Sequence, residues 1–362
     1  LYRGGLIDMI IQVMDKWVGR VRARLLYVSV GSGAIMSALS GAGIADTALL
    51  GSTLYPEMER RGYDKKLSYG TIMEAGLLAT IIPPSGLAVL VGSMAEISIG
   101  KLLLAGVGPG ILMVVVYVLY INARVLLNPK LAPISGGATV PLTEKLLSTF
   151  KLTPLAIVIF MVMGFIILGI TTPSEAAATG ALSSAVVLVI YRRFKLSIIR
   201  DALRDALRLA GMIFLIISAS AGMSQMLALS GATREFISML ATLSVAPILI
   251  MVAMQFSVFL LGLFMDQVSI MMVSIPIFIP VVDLMGFDPI LFWMLFLVNM
   301  SIGGITPPFG LILFALKSAV PSAKISDLYK AAMPYVILDL MIMGIIMMFP
   351  KIATGLPTLL FD

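Results

Sequence analysis

Two copies of the motif Ile-x-Pro-Pro-x-Gly-Leu lie inside apolar segments, at residues 81–87 and 305–311. Proline lacks an N–H group and clashes with the preceding turn, so two consecutive prolines stop a helix. Lipid cannot satisfy the carbonyls that this frees, so a break at bilayer depth must face protein or a polar cavity. Half-helix N-termini bind carboxylates, and half-helix C-termini bind Na⁺ or protons. A pair of such breaks therefore indicates the binding site of a secondary transporter.

The acidic residues inside apolar segments are four: Asp46, Glu74, Asp266 and Asp339. Ionised carboxylates at bilayer depth are costly, and by default they indicate a function. Asp46 and Asp266 hold matching positions, since each is followed ten residues later by a proline. They could bind a cation, or they could cap the N-terminus of a helix. We predict that Glu74 faces water from the cytoplasmic side as a candidate cation or proton site, and we interpret Asp339 as structural.

An anionic substrate would depend on backbone N–H groups and small polar side chains, because the predicted spans contain no Lys or Arg. Such residues, with glycine and proline, cluster near the breaks and near two helical hairpins predicted below. Any single Ser or Thr among them could equally serve helix packing. The candidate substrate-binding and ion-binding residues are Ser37, Ser40, Gly41, Asp46, Thr47, Pro83, Pro84, Ser85, Asp266, Asn299, Ser301, Thr306, Pro307 and Pro308.

The composition places these residues in a membrane. Of the 362 residues, 60% are hydrophobic and 12% are charged, whereas a soluble domain carries about 25% charged residues. Four uncharged segments are near or above the roughly 20 residues that a membrane-spanning helix needs. These segments are 102–123, 152–174, 209–233 and 289–316. We therefore predict an all-α polytopic membrane protein in a lipid bilayer.

The charge and the missing residue types narrow the function further. The net charge is +6, but the basic residues lie in short loops between apolar runs, as the positive-inside rule predicts. We therefore expect no nucleic-acid partner. The chain contains no Cys and no His, which excludes thiol and imidazole chemistry and most transition-metal sites.

Basic loops at 20–24 and 59–66 flank one apolar segment. If both loops are cytoplasmic, the segment between them must return to the side from which it entered. Its middle is rich in Gly and Ser, which disfavour a helix interior. We predict a re-entrant hairpin at 25–56 with its tip near 38–45, and a plain crossing is the alternative. A broken helix follows at 68–97.

The second half repeats this pattern with a hairpin at 247–284 and a broken helix at 289–320. One hairpin enters from each side, so we predict inverted repeats at 1–127 and 151–362, joined by a polar linker at 128–150. By this symmetry the first repeat is N-terminally incomplete. The arginines of 198–208 share one face, which predicts an interfacial helix ahead of a span at 209–230. We expect residues 232–246 to lie along the outer surface and 326–349 to form the last span.

Several motifs together resemble the large membrane subunit of the tripartite ATP-independent periplasmic (TRAP) transporters. The resemblance covers nearly the whole chain, and the order of the motifs is more specific than any one of them. The matching segments are Ser40–Ser52, Pro56–Asp64, Ile82–Ser85, Ser98–Leu102, Thr172–Ala176 and Ile305–Gly310.

The resemblance implies an elevator-type importer in a bacterial or archaeal inner membrane, and not an enzyme. It implies Na⁺ as the coupling ion and no other cofactor. It also implies a small four-helix membrane subunit and a periplasmic solute-binding protein that delivers an organic acid, such as a C4-dicarboxylate. The family's substrate and Na⁺ region maps here onto Ser37–Asp46, Pro83–Ser85, Asp266 and Thr306–Pro308, which suggests Na⁺ near Ser40, Asp46, Asp266 and Thr306.

Two other functions are compatible with parts of the pattern. A stand-alone cation-coupled carboxylate symporter or exchanger would have the same breaks but no binding protein. An intramembrane aspartyl protease could use Asp46 and Asp266 as a carboxylate dyad. Resemblance to such proteases would require a Gly-x-Gly-Asp run and a Pro-Ala-Leu motif, and the chain contains neither.

Overall fold

The computed structural model describes residues 7–133, 141–231, 235 and 245–361, and within these ranges the regular structure is helical, with no β-strand. The all-α prediction is therefore confirmed. Five helices of the described residues are long and apolar enough to cross a membrane, or six if one bent pair counts as a single span. The other apolar helices are shorter, because breaks divide them.

The first half contains a helical hairpin followed by an interrupted helix. Helix α1 spans Ile7–Val18. The hairpin arms are α2 (Arg24–Ser40) and α3 (Gly43–Arg60). Helix α4 (Lys65–Leu77) continues into a short 3₁₀ turn, and α5 (Gly86–Met94) resumes after the first Pro-Pro pair. Helices α6 (Ile99–Ala105) and α7 (Val107–Leu127) then form one nearly continuous apolar span.

The second half has the same succession of elements. Its hairpin arms are α12 (Pro247–Gly262) and α13 (Gln267–Met285). Helix α14 (Pro289–Ile305) ends at the second Pro-Pro pair, and α15 (Leu311–Ala319) follows the interruption. The order is therefore hairpin, half-helix, break, half-helix in both halves. The inverted orientation of the two repeats stays a prediction.

The remaining helices surround these elements. Between the halves lie α8 (Leu142–Phe150), α9 (Thr153–Ile167), α10 (Pro173–Ile190) and α11 (Leu196–Leu229). Near the C-terminus lie α16 (Ile325–Met348) and α17 (Lys351–Phe361). Helix α17 packs against α6 and α7, and the hydropathy pattern did not predict it as a separate element.

Two expectations for the middle of the chain need correction. The linker at 128–150 is partly helical, because α8 docks on α1, where the Trp17 indole donates a hydrogen bond to Thr149 Oγ1 (2.7 Å). Residues 134–140 of this linker lie outside the described residues. The separate interfacial helix at 198–208 is wrong, because α11 runs through it without a break. No proline interrupts this stretch. Most of 232–246 also lies outside the described residues.

The first halves of the two broken helices form the centre of the molecule. All residues of 67–77 in α4 and of 291–305 in α14 are buried. Close approach depends on glycine. A Cβ atom on Gly33 would lie 2.4 Å from the Ala75 carbonyl oxygen, and one on Gly70 would lie 2.4 Å from the Tyr335 ring. The helix halves that lead into the two breaks are thus buried in protein, whereas Gly86, Pro308 and Phe309 at the breaks themselves are exposed.

Candidate functional site

The tip of the first hairpin contacts the first break. Gly41 ends α2 with a left-handed φ of 57°, and its N–H donates to the Ser37 carbonyl (3.0 Å). A Cβ atom at Gly41 would lie 3.0 Å from the Pro84 carbonyl oxygen. On the other side of the break, Ser85 caps α5, because its hydroxyl accepts from Ala88 N (3.3 Å) and donates to the Thr80 carbonyl (2.7 Å).

Behind this tip lies a group of buried oxygens with few partners. The Ser40 hydroxyl donates to Asp46 Oδ2 (2.6 Å), and Asp46 is fully buried. In the described part of the chain, no hydrogen-bond partner contacts Asp46 Oδ1, Ser37 Oγ or Thr47 Oγ1. Buried polar groups are normally paired. These oxygens are therefore available to a ligand, and a cation coordinated by oxygen suits them.

At the tip of the second hairpin, Asp266 is a helix cap. One carboxylate oxygen, Oδ2, accepts from Val268 N (3.0 Å) and Ser269 N (3.2 Å), and the other accepts from the Ser269 hydroxyl. The next residue, Gln267, donates from Nε2 to the Met300 carbonyl in α14 (2.9 Å). Of the two sequence-based interpretations of Asp266, the cap is what the geometry shows.

The second break is held by hydrogen bonds to its own backbone. The Thr306 hydroxyl donates to the Ile302 carbonyl (2.6 Å), and the Tyr329 hydroxyl of α16 donates to the Pro308 carbonyl (3.0 Å). A Cβ atom on Gly310 would lie 2.8 Å from the Gly304 carbonyl oxygen, so only glycine fits there. The peptide bonds Pro83-Pro84 and Pro307-Pro308 are both cis.

One cleft brings the two halves together. It is lined by residues from the first hairpin, the second hairpin tip and both sides of the second break, namely Ile44, Met265, Asp266, Gln267, Gly303, Gly304, Phe309, Leu311 and Ile312. Close packing holds its walls, since a Cβ atom on Gly262 would lie 2.9 Å from Gly303 Cα. The cleft joins the two halves, but no residue of the first break lines it, so the paired site predicted from the two motifs stays a prediction.

The helix N-termini at this junction differ in their capping. Helix α3 begins after Ala42 and helix α15 after Gly310, and neither first turn has a side-chain cap. The α5 and α13 N-termini are capped by Ser85 and Asp266. An uncapped first turn leaves N–H groups and the positive end of the helix dipole available to an anion.

Asp266 is the one predicted site residue that lines this cleft. Three of the others lie inside helices α14 and α4. Asn299 donates from Nδ2 to the Gln255 carbonyl (2.5 Å) and to Gln255 Oε1 (3.1 Å), so it joins α14 to α12. Ser301 is buried in α14, and its hydroxyl has no partner among the described residues. Glu74 does not face water as predicted. It is fully buried, and its Oε2 lies 3.0 Å from the Tyr117 hydroxyl oxygen.

Sequence reasoning also missed several contacts between buried polar residues of different helices. Asp339 Oδ1 lies 2.5 Å from the Tyr117 hydroxyl oxygen. Gln255 and Gln267 bind α14 through hydrogen bonds to Asn299 and to the Met300 carbonyl. An amide inside an apolar segment was the available signal for both glutamines.

The family described as the tripartite ATP-independent periplasmic transporter, DctM component, matches residues 1–352. The chain belongs to this family. It is therefore a TRAP transporter large permease subunit, a multi-pass protein of the inner membrane, and not an enzyme. The family resemblance is confirmed, and the protease alternative is wrong because the relatives are permeases.

Several curated relatives match the TRAP permease along nearly its whole length. The C4-dicarboxylate TRAP transporter large permease protein of Pseudomonas aeruginosa is 32% identical over 98% of this chain and 82% of its own. The ectoine/5-hydroxyectoine large permease protein of Ruegeria pomeroyi is 26% identical over 99% and 83%. The sialic acid permease protein of Haemophilus influenzae is 26% identical over 99% of this chain but 57% of its own.

A solved transporter shares the fold of the permease. The YdaH transporter of Alcanivorax borkumensis, described as having an unusual topology, superposes with a TM-score of 0.59. The match covers 95% of this chain and 85% of that one, at 16% identity. This likeness supports the polytopic transporter architecture alone.

Proposed function

We propose that this permease subunit is the membrane part of a Na⁺-coupled importer of organic acids. In this proposal a periplasmic solute-binding protein delivers the acid, and a small four-helix membrane subunit completes the assembly. The observation that carries the proposal is the cleft at which both hairpins meet the second break. Relatives named for C4-dicarboxylate and sialic acid support an acid as the substrate class.

The carboxylate of the substrate would bind at the uncapped helix N-termini. The cleft is lined by Ile44 in the first turn of α3 and by Leu311 and Ile312 in the first turn of α15. Backbone N–H groups there supply donors, and the two helix dipoles add positive potential. No lysine or arginine lines this cleft, so recognition would rest on main-chain donors, as expected from the sequence.

The coupling cation would bind at the oxygens behind the first tip. The atoms Asp46 Oδ1, Ser37 Oγ and Thr47 Oγ1 are buried and have no partner among the described residues, so we take them as the candidate ligands of a Na⁺ ion. Asp266 would serve the second half, although its carboxylate already accepts from two backbone N–H groups. Ser40 would orient Asp46 through its hydrogen bond, and Thr306 would hold the second break.

For the transport step we propose that the hairpins and broken helices move together against the other helices. The stationary scaffold would include residues 102–127, 152–191 and 326–349. Glycine contacts join the first hairpin to the broken helices, because a Cβ on Gly43 would lie 2.9 Å from the Gly76 carbonyl oxygen and one on Gly51 would lie 2.6 Å from Leu316 Cδ1. The first hairpin is therefore packed on elements of both halves.

The test is uptake of candidate acids into proteoliposomes that contain the complete transporter, with and without a Na⁺ gradient. Asp46→Asn and Thr47→Val should raise the Na⁺ concentration needed for half-maximal uptake, because each removes a cation ligand. Ser52→Ala is the matched control, since this exposed hydroxyl bonds only to the Leu49 carbonyl. Unchanged Na⁺ dependence in both variants would contradict the cation site.

The stand-alone symporter remains the second candidate. It differs from the first in one observable, the need for a delivering protein. Uptake by vesicles that lack the solute-binding protein would support the stand-alone mechanism. Uptake that appears only after the binding protein is added would support the tripartite one.

A further inference from the structure

A second polar cluster lies outside the cleft, where three helices meet. It consists of Glu74 on α4, Tyr117 on α7 and Asp339 on α16, each fully buried. The Tyr117 hydroxyl oxygen lies 3.0 Å from Glu74 Oε2 and 2.5 Å from Asp339 Oδ1. Both distances are those of hydrogen bonds. The phenol therefore bridges two carboxyl groups from separate helices.

The number of protons on the three side chains decides how many hydrogen bonds this bridge can form. A tyrosine hydroxyl carries one proton, and an ionised carboxylate only accepts. Tyr117 can thus donate to Glu74 or to Asp339, but not to both at once. The other contact becomes a hydrogen bond only if that carboxyl is itself protonated and donates to the phenol oxygen. Two hydrogen bonds therefore require one proton beyond that of the tyrosine.

The surrounding charges agree with this count. With both carboxyls ionised, two negative charges would be buried beside each other, and burying an unpaired charge is very costly. Among the described residues, no lysine or arginine pairs with either carboxyl. The hydrogen bonds of both carboxyls go to Tyr117. The other ionisable groups on the helices packed around the cluster are Arg24, Tyr27, Asp46, Tyr55, Glu57, Glu59, Arg60, Lys65, Lys66, Tyr69, Lys101, Tyr120, Arg124, Lys317, Asp327, Tyr329, Lys330, Tyr335 and Lys351.

We propose that Glu74, Tyr117 and Asp339 form a proton-binding site that holds one exchangeable proton and ties α4 to α7 and α16. Loss of this proton leaves one contact without a hydrogen and two like charges side by side, which weakens the packing of the first broken helix. The cluster shares no residue with the proposed substrate and Na⁺ sites, so it goes beyond the proposed function.

A polar cleft lies close to one side of the cluster. The Tyr335 ring packs edge-on against Tyr117, with ring centroids 5.7 Å apart, and against Tyr120 at 5.1 Å. Tyr120 and Tyr335 also line a polar cleft, together with Asp64, Lys66, Leu67, Arg124, Lys330, Ala331 and Pro334. One layer of aromatic rings therefore separates the carboxyls from a cleft lined with charged groups.

The test is infrared spectroscopy of the purified permease in lipid nanodiscs at neutral pH. A protonated carboxyl has a C=O stretch that an ionised one lacks, and the stretch shifts when the proton exchanges for deuterium. The spectrum of the wild type minus that of Glu74→Gln/Asp339→Asn should contain this band. Subtraction of Glu96→Gln, an exposed carboxylate, should leave none. Size-exclusion chromatography checks that each variant folds.

The single variants Glu74→Gln and Asp339→Asn provide the same test if the double variant fails to fold. A side-chain amide can donate to the phenol oxygen, so the cluster then makes both hydrogen bonds without the extra proton. The band should therefore be absent from Glu74→Gln and from Asp339→Asn. The proposal is overturned if the wild type shows no band relative to the double variant, or if both single variants keep it at full amplitude.

Discussion

Replacing Gly41 by alanine tests whether the first hairpin tip must rest on the first break. Gly41 has φ 57°, and an L-residue in this left-handed region costs about 1–2 kcal/mol. The new Cβ would also lie 3.0 Å from the Pro84 carbonyl oxygen and 3.4 Å from Gly86 N. These are backbone atoms, so the tip or the break must shift, and overpacking of this kind costs about 1–3 kcal/mol.

Gly62 provides a matched control for the cost of placing an L-residue in the left-handed conformation. Its φ is 78°, and a Cβ atom there would meet nothing within 4 Å. Gly62→Ala should therefore lower the free energy of unfolding by about 1–2 kcal/mol, and Gly41→Ala by about 2–5 kcal/mol because both terms add. Reversible unfolding in mixed micelles containing SDS measures both values.

Uptake separates the two variants more sharply than stability does. Gly62→Ala should transport at the wild-type rate once protein amounts are matched, because it lies outside the cleft and the breaks. Gly41→Ala should transport poorly, because the displaced tip no longer seats against the first break. Equal destabilisation by the two substitutions, together with normal uptake by both, would refute the contact and the reasoning built on it.

Three further substitutions test the second half and the middle of the chain. Thr172→Ala removes the hydroxyl that caps α10 and should lower the free energy of unfolding by about 1 kcal/mol, without changing the substrate concentration for half-maximal uptake. Gly262→Ala places a Cβ 2.9 Å from Gly303 Cα. It should lower the free energy of unfolding by about 1–3 kcal/mol and slow uptake. An unaltered free energy of unfolding would show that α12 and α14 can separate freely. Gln267→Ala removes the hydrogen bond to the Met300 carbonyl and should lower the free energy of unfolding by about 0.5–1.5 kcal/mol. It should also reduce the uptake rate more than Thr172→Ala does.

Much of the fold follows from local chemistry. Long uncharged segments predict membrane helices because no other element satisfies its own backbone in lipid. The Pro-Pro pairs at 83–84 and 307–308 predict the two breaks because proline acts on its own helix turn. Gly41 marks the end of α2 for a similar reason, since glycine tolerates the left-handed conformation there. Each of these effects operates within a few residues of its cause.

Where the local signal was weak, the prediction was less accurate. The polar composition of 128–150 suggested a loop, but docking on α1 stabilises a helix at Leu142–Phe150. The arginine face of 198–208 suggested a separate surface helix, but the backbone of α11 continues through it. In both cases a pattern of side chains was interpreted as a boundary, although nothing in the backbone chemistry required one.

The sequence by itself determined that this is an all-helical membrane protein with two hairpins and two interrupted helices, because composition and proline act locally. Only the tertiary structure decided which distant side chains meet. Glu74 and Tyr117 are 43 positions apart in the chain, and Tyr117 and Asp339 are 222 apart. Their contact depends on how α4, α7 and α16 are rotated and how closely glycines let them pack, and no residue encodes that alone.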